Sequence, residues 1–239
     1  MRVLVTRPEP ASARTAAELE RLGHEPVLLP LMQAVHQTPS LMSTLLPGTT
    51  ALAVTSAEAI RALRALPEER RQVFLALPLF AVGQATAQAA REAGFEDVSV
   101  AGGDGRSLAK LLVARTEENP ASPILYLTGT PRSPDFEAAL VNAGRSIDIR
   151  ECYHMQPVAL EDEQIARRLT PMPDVILVYS SETARRLGEI RAKMHADLDW
   201  QNTRFLCLSQ KIADALPAEF QHMSRWPMEP REDLLLLLL

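Results

Sequence analysis

Short apolar runs alternate along this chain with longer segments in which apolar residues recur every three or four positions. RVLVT (2–6) precedes ASARTAAELERLG (11–23). ALAVTS (51–56) precedes AEAIRALRAL (57–66), and LFAVG (79–83) precedes QATAQAAREAG (84–94). ILYLTG (124–129) precedes PDFEAALVNAG (134–144). VILVYS (175–180) precedes SETARRLGEI (181–190), and RFLCLS (204–209) precedes QKIADALPAEF (210–220). The runs are nearly all apolar rather than alternating, as expected of strands covered on both faces. The longer segments have helical spacing. Strand and helix in strict alternation predict parallel sheets with helices on both sides, an α/β fold.

The pattern repeats. LAVTSAEAIRAL (52–63) and ILVYSSETARRL (176–187) match at Val54/Val178, Ser56/Ser180, Glu58/Glu182, Arg61/Arg185 and Leu63/Leu187, an offset of 124. FAVGQATAQAA (80–90) resembles LCLSQKIADAL (206–216) at an offset of 126. VSVAGGDGRSLAKLL (98–112) falls on SRWPMEPREDLLLLL (224–238) at the same offset, which makes the terminal leucines the apolar side of a last helix. LYLTGTPRSPDFEAALVNAG (125–144) finds its partner at the start of the chain, in VLVTRPEPASARTAAELERLG (3–23). A tandem repeat cannot give this order, but a domain inserted within its own copy can. The expected division is 1–30 with 158–239 as one flavodoxin- or Rossmann-like domain and 37–150 as the other. Strand-like linkers at 31–36 and 151–157 would join them.

Ligands of parallel α/β sheets sit at the carboxyl ends of the strands. The segments there are rich in small hydroxyl residues: Thr6, Thr55, Ser56, Thr128, Ser180, Ser181 and Ser209, each expected just before a helix. Such residues cap helices, and a capped helix start still offers free amides and a partial positive charge. Candidates for ligand contact are Arg7, Thr55, Ser56, Gly83, Thr128, Gly129, Ser180, Ser181, Ser209 and Gln210, with Arg132 as a further cation. Glu58 and Glu182 occupy first-turn positions and would have to lean away from an anion.

The formal net charge of −5 argues against a general nucleic-acid binder. It does not exclude an anionic ligand, because helix starts attract carboxylates without cationic side chains. No apolar run reaches the ~18 residues of a membrane span, and MRVLVTRPEP has no signal-peptide pattern. Cys152 and Cys207 form no CxxC. A reduced, cytoplasmic protein is expected, and a monomer. His24, His36, His154, His195 and His222 show no metal-ligand spacing. No phosphate loop or GxSxG elbow is present. GGDGRS (102–107) reads as a plain turn, and Cys207 as a core residue. Neither a metal nor a cofactor is expected. Tyr153, in the second linker, reads two ways: as an aromatic plug, or as a phenol able to give a proton to a departing hydroxyl.

VLVTRP (3–8), VTSAEAI (54–60), AVGQATA (81–87), LYLTG (125–129), Tyr153, VYSSETA (178–184) and CLSQKIADAL (207–216) stand in an order that resembles the uroporphyrinogen-III synthase family from end to end. The resemblance implies two α/β domains, one inserted in the other. It implies a lyase that needs no cofactor or metal. The implied substrate is hydroxymethylbilane, an octacarboxylate received from hydroxymethylbilane synthase. It would lose its hydroxyl as water and close to uroporphyrinogen III with ring D inverted. On this resemblance Tyr153 is the catalytic candidate, and Thr55, Ser56 and Ser180 match ligand-contacting loop positions. Ser209 and Gln210 lie in a loop where Lys211 and Ile212 replace the family's threonines. A non-catalytic two-lobed module clamping a polyanion is the alternative. A two-domain glycosyltransferase would want a charged diphosphate site that the chain does not display.

Overall fold

The computed structural model describes residues 1–116, 120–194 and 198–239. The chain opens with β1 (Arg2–Val5), α1 (Ala11–Arg21), β2 (Glu25–Leu28) and β3 (Met32–His36). It continues through α2 (Pro39–Met42), β4 (Ala51–Val54), α3 (Ala57–Arg64), α4 (Glu68–Leu75), β5 (Leu79–Ala81), α5 (Gln84–Glu92), β6 (Val98–Val100) and α6 (Gly105–Arg115). Next come β7 (Ile124–Thr130), α7 (Asp135–Asn142) and β8 (Ile147–Pro157). The last stretch holds α8 (Asp162–Leu169), β9 (Val175–Val178), α9 (Ser181–Lys193), β10 (Arg204–Cys207), α10 (Gln210–Ala213), α11 (Ala218–Gln221), β11 (Ser224–Arg225) and α12 (Glu232–Leu236). Two compact units result, Met1–Gln33 with Gln156–Leu239, and Ala34–Met155.

Each unit holds one sheet. The strand order is β11-β10-β9-β1-β2 in the first and β3-β8-β7-β4-β5-β6 in the second. The pairings within β1, β2, β9, β10 and β11, and within β4 to β8, are parallel. Reading β2-β1-β9-β10-β11 against β8-β7-β4-β5-β6 gives one topology written twice, as the repeat requires.

The ladders test the repeat residue by residue. Ile176 pairs with Phe205 and Leu52 with Leu79, which reproduces the offsets of 124 and 126. Phe205 pairs with Ser224 and Leu79 with Val98, so the third unit also keeps 126. The first strand differs. Ile176 pairs with Leu4 while Leu52 pairs with Leu125, so Leu4 is the structural equivalent of Leu125. The sequence alignment set Val3 against Leu125, one residue out, drawn there by the Thr6/Thr128 identity. A one-residue slip reverses the faces of a strand, and burial confirms the ladder register. Leu4 shares a core with Ile176 and Phe205, and Leu125 shares one with Leu52 and Leu79.

Both faces of the sheets are buried at β1, β4, β5, β7, β9 and β10, which is why these strands lack polar alternation. In the second unit Leu52, Val54, Leu79 and Leu127 point to one core, and Ala53, Phe80, Ile124 and Tyr126 to the other. Tyr126 meets Phe136 edge-on at 4.7 Å between ring centres. In the first unit, Trp200, Phe205 and Phe220 form an aromatic group under β10, with Phe205 and Phe220 stacked at 4.5 Å. The expected helix 210–220 is broken into α10 and α11 around Pro217, which has no N–H to continue the ladder. Leu235 and Leu236 are buried in the core behind β1, β9 and β10, whereas Leu237 is exposed.

The duplicated polar positions have local work. Ser56 caps α3 by accepting from the Glu58 N–H at 3.1 Å, and Ser180 caps α9 by accepting from the Thr183 N–H at 3.1 Å. Each such cap contributes about 1 kcal/mol. Glu58 turns back to Arg61 and Glu182 to Arg185, one helical turn on. Leu63 and Leu187 seal the cores beneath.

β8 has a further feature. Thr128 pairs with Glu151, but Gly129 pairs with Tyr153, so one extra residue, Cys152, is bulged in β8 at the carboxyl end of β7. Bulges re-aim the side chains that follow them. Here the bulge lays the Tyr153 ring on the backbone of Gly129. A Cβ at Gly129 would stand 2.2 Å from Cε2 and Cζ of that ring. Gly129→Ala is therefore expected to cost about 1–3 kcal/mol, read as a fall of several degrees in Tm at about 2–4 °C per kcal/mol. Adding Tyr153→Ala to the same chain should recover most of that loss. A Gly129→Ala melt equal to the wild type would refute the contact.

Candidate functional site

In the second unit the carboxyl ends of β4 and β7 and the bulge of β8 bring Thr55, Ser56, Thr128, Gly129 and Tyr153 together. Tyr153 is half-buried in the ladder and rests on Gly129. Burial pushes its phenol up to about 12. A side-chain hydrogen bond with Ser56 acts in the opposite direction, while Cys152, Tyr126 and Glu58 add to the rise. The phenol is accordingly a neutral O–H throughout the physiological range. Beside it, Thr55 Oγ1 and the Tyr126 hydroxyl share a hydrogen bond of 3.0 Å. Glu58 is held back from the strand ends by Arg61 and by His36, whose Nε2 lies 3.0 Å from its carboxylate.

The expectation that every strand-end hydroxyl stands just before a helix needs correction. Ser56, Ser180 and Ser209 are N-cap residues, but Ser209 makes no side-chain capping bond. Thr128 lies inside β7 with only 1% of its surface exposed, and α7 begins after Pro134. Thr6 is fully buried, and its Oγ1 donates to the Leu177 carbonyl at 2.6 Å, knitting β1 to β9. The physical reason is the length of the turns after β1 and β7, which separate these threonines from the next helix. Gly83 is the extended N-cap of α5, where a Cβ would meet Gly103 Cα at 4.0 Å. GGDGRS forms a turn that ends in a capping box: Asp104 Oδ1 accepts from the Ser107 N–H at 2.7 Å.

In the first unit, Ser180, Ser181, Ser209 and Gln210 lie at the starts of α9 and α10, beyond the carboxyl ends of β9 and β10. Ser180 and Ser181 are half-buried and Gln210 is exposed. Arg7 already has a carboxylate. Its Nη1 donates to Glu232 Oε1 at 2.8 Å and to Thr15 Oγ1 at 3.3 Å, and its guanidinium lies 4.1 Å from the Tyr179 ring centre. Tyr179 Oη and Thr15 Oγ1 donate to the same Glu232 oxygen, at 2.8 and 2.5 Å. Burial pushes the Glu232 carboxyl up, but Arg7 and the two hydroxyls outweigh it and leave it below the ordinary range. Arg132 is likewise engaged, between Glu137 at 2.5 Å and Glu151 at 2.6 Å. Sequence reasoning missed Thr15, Tyr179 and Glu232. The signal available was a Tyr directly before the Ser180 cap, at the position that Thr55 holds in the other copy.

Cys152 and Cys207 are buried, and desolvation pushes both thiols up to about 12, which leaves little thiolate for chemistry. Among the described residues no group of three or more His, Cys, Asp or Glu side chains is arranged to hold a metal. His195 lies outside the described residues. No described helix is long and apolar enough to cross a membrane.

The fold is shared with solved structures. A mutant uroporphyrinogen III synthase from Thermus thermophilus aligns at 20% identity over 100% of this chain and 96% of its own, with a TM-score of 0.57. The uroporphyrinogen-III synthetase of Helicobacter pylori aligns at 17% identity over 100% and 98%, with a TM-score of 0.64. No curated protein matches the sequence. The family model described as uroporphyrinogen-III synthase HemD matches residues 13–233, nearly the whole chain. The chain therefore belongs to the uroporphyrinogen-III synthase family, hydro-lyases of tetrapyrrole biosynthesis.

Proposed function

We propose that this chain turns hydroxymethylbilane into uroporphyrinogen III with Tyr153 assisting loss of the hydroxyl. The observation that carries this reading is the neutral phenol fixed at a strand carboxyl end by the β8 bulge and the bare backbone of Gly129. In the first step the C–O bond of the hydroxymethyl group breaks and its electron pair leaves with oxygen. The phenol proton moves to that oxygen, water departs, and the pyrrole nitrogen's electrons leave an azafulvenium cation. Ring D then attacks the cation through its substituted carbon to give a spiro-pyrrolenine. The bond from that carbon to the methylene shared with ring C breaks, with its electron pair returning to ring D. The freed methylene cation rejoins ring D at its unsubstituted carbon. The proton lost there balances the one given by Tyr153, so ring D is inverted and the net change is loss of one water with no oxidant.

A phenol whose pKa lies near 12 is a weak acid in the free protein. It becomes a better one as the cation forms. A cation about 4 Å from the tyrosinate, at an effective dielectric of ~20, gains about 4 kcal/mol, roughly a thousandfold in acidity. The donor is thus quiet until the charge it must answer develops, which is the pattern of transition-state stabilisation.

For the carboxylates the reading assigns the amides at the starts of α3, α5, α9 and α10. Thr55, Ser56, Gly83, Ser180, Ser181, Ser209 and Gln210 lie on or beside the segments that present them, and Gly129 supports the Tyr153 ring. Each helix start contributes ~0.3–1 kcal/mol toward a nearby carboxylate, and up to ~2 kcal/mol when partly buried. The domains of the reading are 1–30 with 158–239 and 37–150. It places the protein in the cytoplasm as a monomer that takes hydroxymethylbilane from hydroxymethylbilane synthase.

Isomer-resolved product analysis after adding hydroxymethylbilane tests the function: the type III isomer is expected, and type I alone would refute it. Tyr153→Phe should keep the wild-type melting temperature and lose about a hundredfold or more in kcat; wild-type turnover would remove Tyr153 from the mechanism. The pH profile tests the charge state. Because the raised pKa keeps the phenol protonated below about 12, kcat should hold up to about pH 10, where an ordinary tyrosine would be half ionised. An alkaline decline centred near pH 9 that Tyr153→Phe abolishes would contradict it.

A further inference from the structure

Arg7, Thr15 and Tyr179 surround a carboxylate as a binding site would. A guanidinium is fixed on an aromatic face, and a buried hydroxyl and a phenol aim at the same oxygen. Thr15 is 2% exposed, so its position is set by the fold rather than by its ligand. Tyr179 directly follows the buried end of β9 and Arg7 lies two residues beyond that of β1, strands adjacent in the sheet, at its ligand-bearing edge. The carboxylate held there belongs to the chain itself, Glu232, the first residue of α12.

We infer that Arg7, Thr15 and Tyr179 form a subsite for one carboxylate of the tetrapyrrole, and that Glu232 fills it as a built-in stand-in when no ligand is bound. The inference rests on the proposed function and deepens it. Glu232 is suited to leaving. It sits where an exposed loop, with Met228 fully exposed and Arg231 also exposed, meets the helix. Leu235 and Leu236 anchor the rest of α12 in the core, so a side-chain rotation frees the subsite without unpacking those leucines. The exchange replaces one carboxylate by another, so the charge around Arg7 stays balanced and no buried cation is stranded. It also accounts for an arginine at a ligand edge that is already neutralised.

A purely structural ion pair and a stand-in predict opposite signs. A resident competitor lowers apparent affinity by the fraction of time the subsite is open. Removing its charge should therefore tighten binding, whereas removing a structural brace should loosen it or leave it unchanged. The probe is uroporphyrin III, the stable octacarboxylate obtained by oxidising the product, with dissociation constants read from porphyrin fluorescence. Glu232→Gln is expected to bind it several-fold more tightly, up to about tenfold for a subsite open about a tenth of the time. Glu232→Asp keeps the charge on a shorter arm and should shift in the same direction by less, which covers the case of a poorly folded glutamine variant. In the Glu232→Gln background, Tyr179→Phe should then weaken binding roughly two- to tenfold by removing one donor to the ligand. Unchanged or weaker binding by both Glu232 variants, or no effect of Tyr179→Phe in that background, would overturn the subsite. Production of the type III isomer by the wild type is scored separately, so the subsite can fail while the function stands.

Discussion

The contact on which the site depends is the Tyr153 ring lying on the bare backbone of Gly129. Everything that makes this contact is main-chain geometry. Two parallel strands, β7 and β8, run in register until Thr128 and Glu151, and one extra residue then shifts the ladder. The phenol is thereby turned onto a position where any side chain would collide with it. The sheet behind is sealed on both faces, so the ring is partly desolvated and its hydroxyl stays neutral. A backbone irregularity, a missing Cβ and a buried sheet together yield one polar group of defined charge at the edge where α/β ligands bind.

The duplication explains both what the units share and where they part. Shared are the strand order, the Ser caps, the Glu–Arg pairs one turn apart and the leucines beneath them. They differ at the strand ends. β2, the counterpart of β8, stops at Leu28, two residues before Pro30, so among the described residues the first unit has no bulged strand carrying a phenol. Instead Tyr179 stands at the position of Thr55 and meets Arg7 and Glu232, while Thr55 meets Tyr126. One scaffold thus carries a neutral donor in one copy and a charged carboxylate clamp in the other.

Much of this was legible in the chain. Apolar runs without alternation announced parallel strands, and the offsets of 124 and 126 reappear in the ladders. Ser56 and Ser180 were readable as caps because the cap and the amides it serves are adjacent in sequence. The one-residue slip at β1 arose because two threonines matched while their strands did not, and identity of short polar residues says nothing about which face is buried. Gly129 within an apolar strand was a visible hint of close approach, but its partner lies 24 residues on and the bulge depends on both strands. The Arg7–Glu232 pair joins residues 225 apart, and no local pattern encodes it. Net charge likewise concealed that both candidate cations, Arg7 and Arg132, were already paired.

The charge state of the Tyr153 phenol is the central claim, and it can be observed without turnover. The chain contains three tyrosines, Tyr126, Tyr153 and Tyr179. Carbon-13 labelling at tyrosine Cζ, with Tyr153→Phe to assign the signal, follows its ionisation directly. The account predicts a Tyr153 resonance that stays at the neutral-phenol position through about pH 10, where an ordinary tyrosine is half titrated. A resonance that moves to the phenolate position at or below that pH would contradict it.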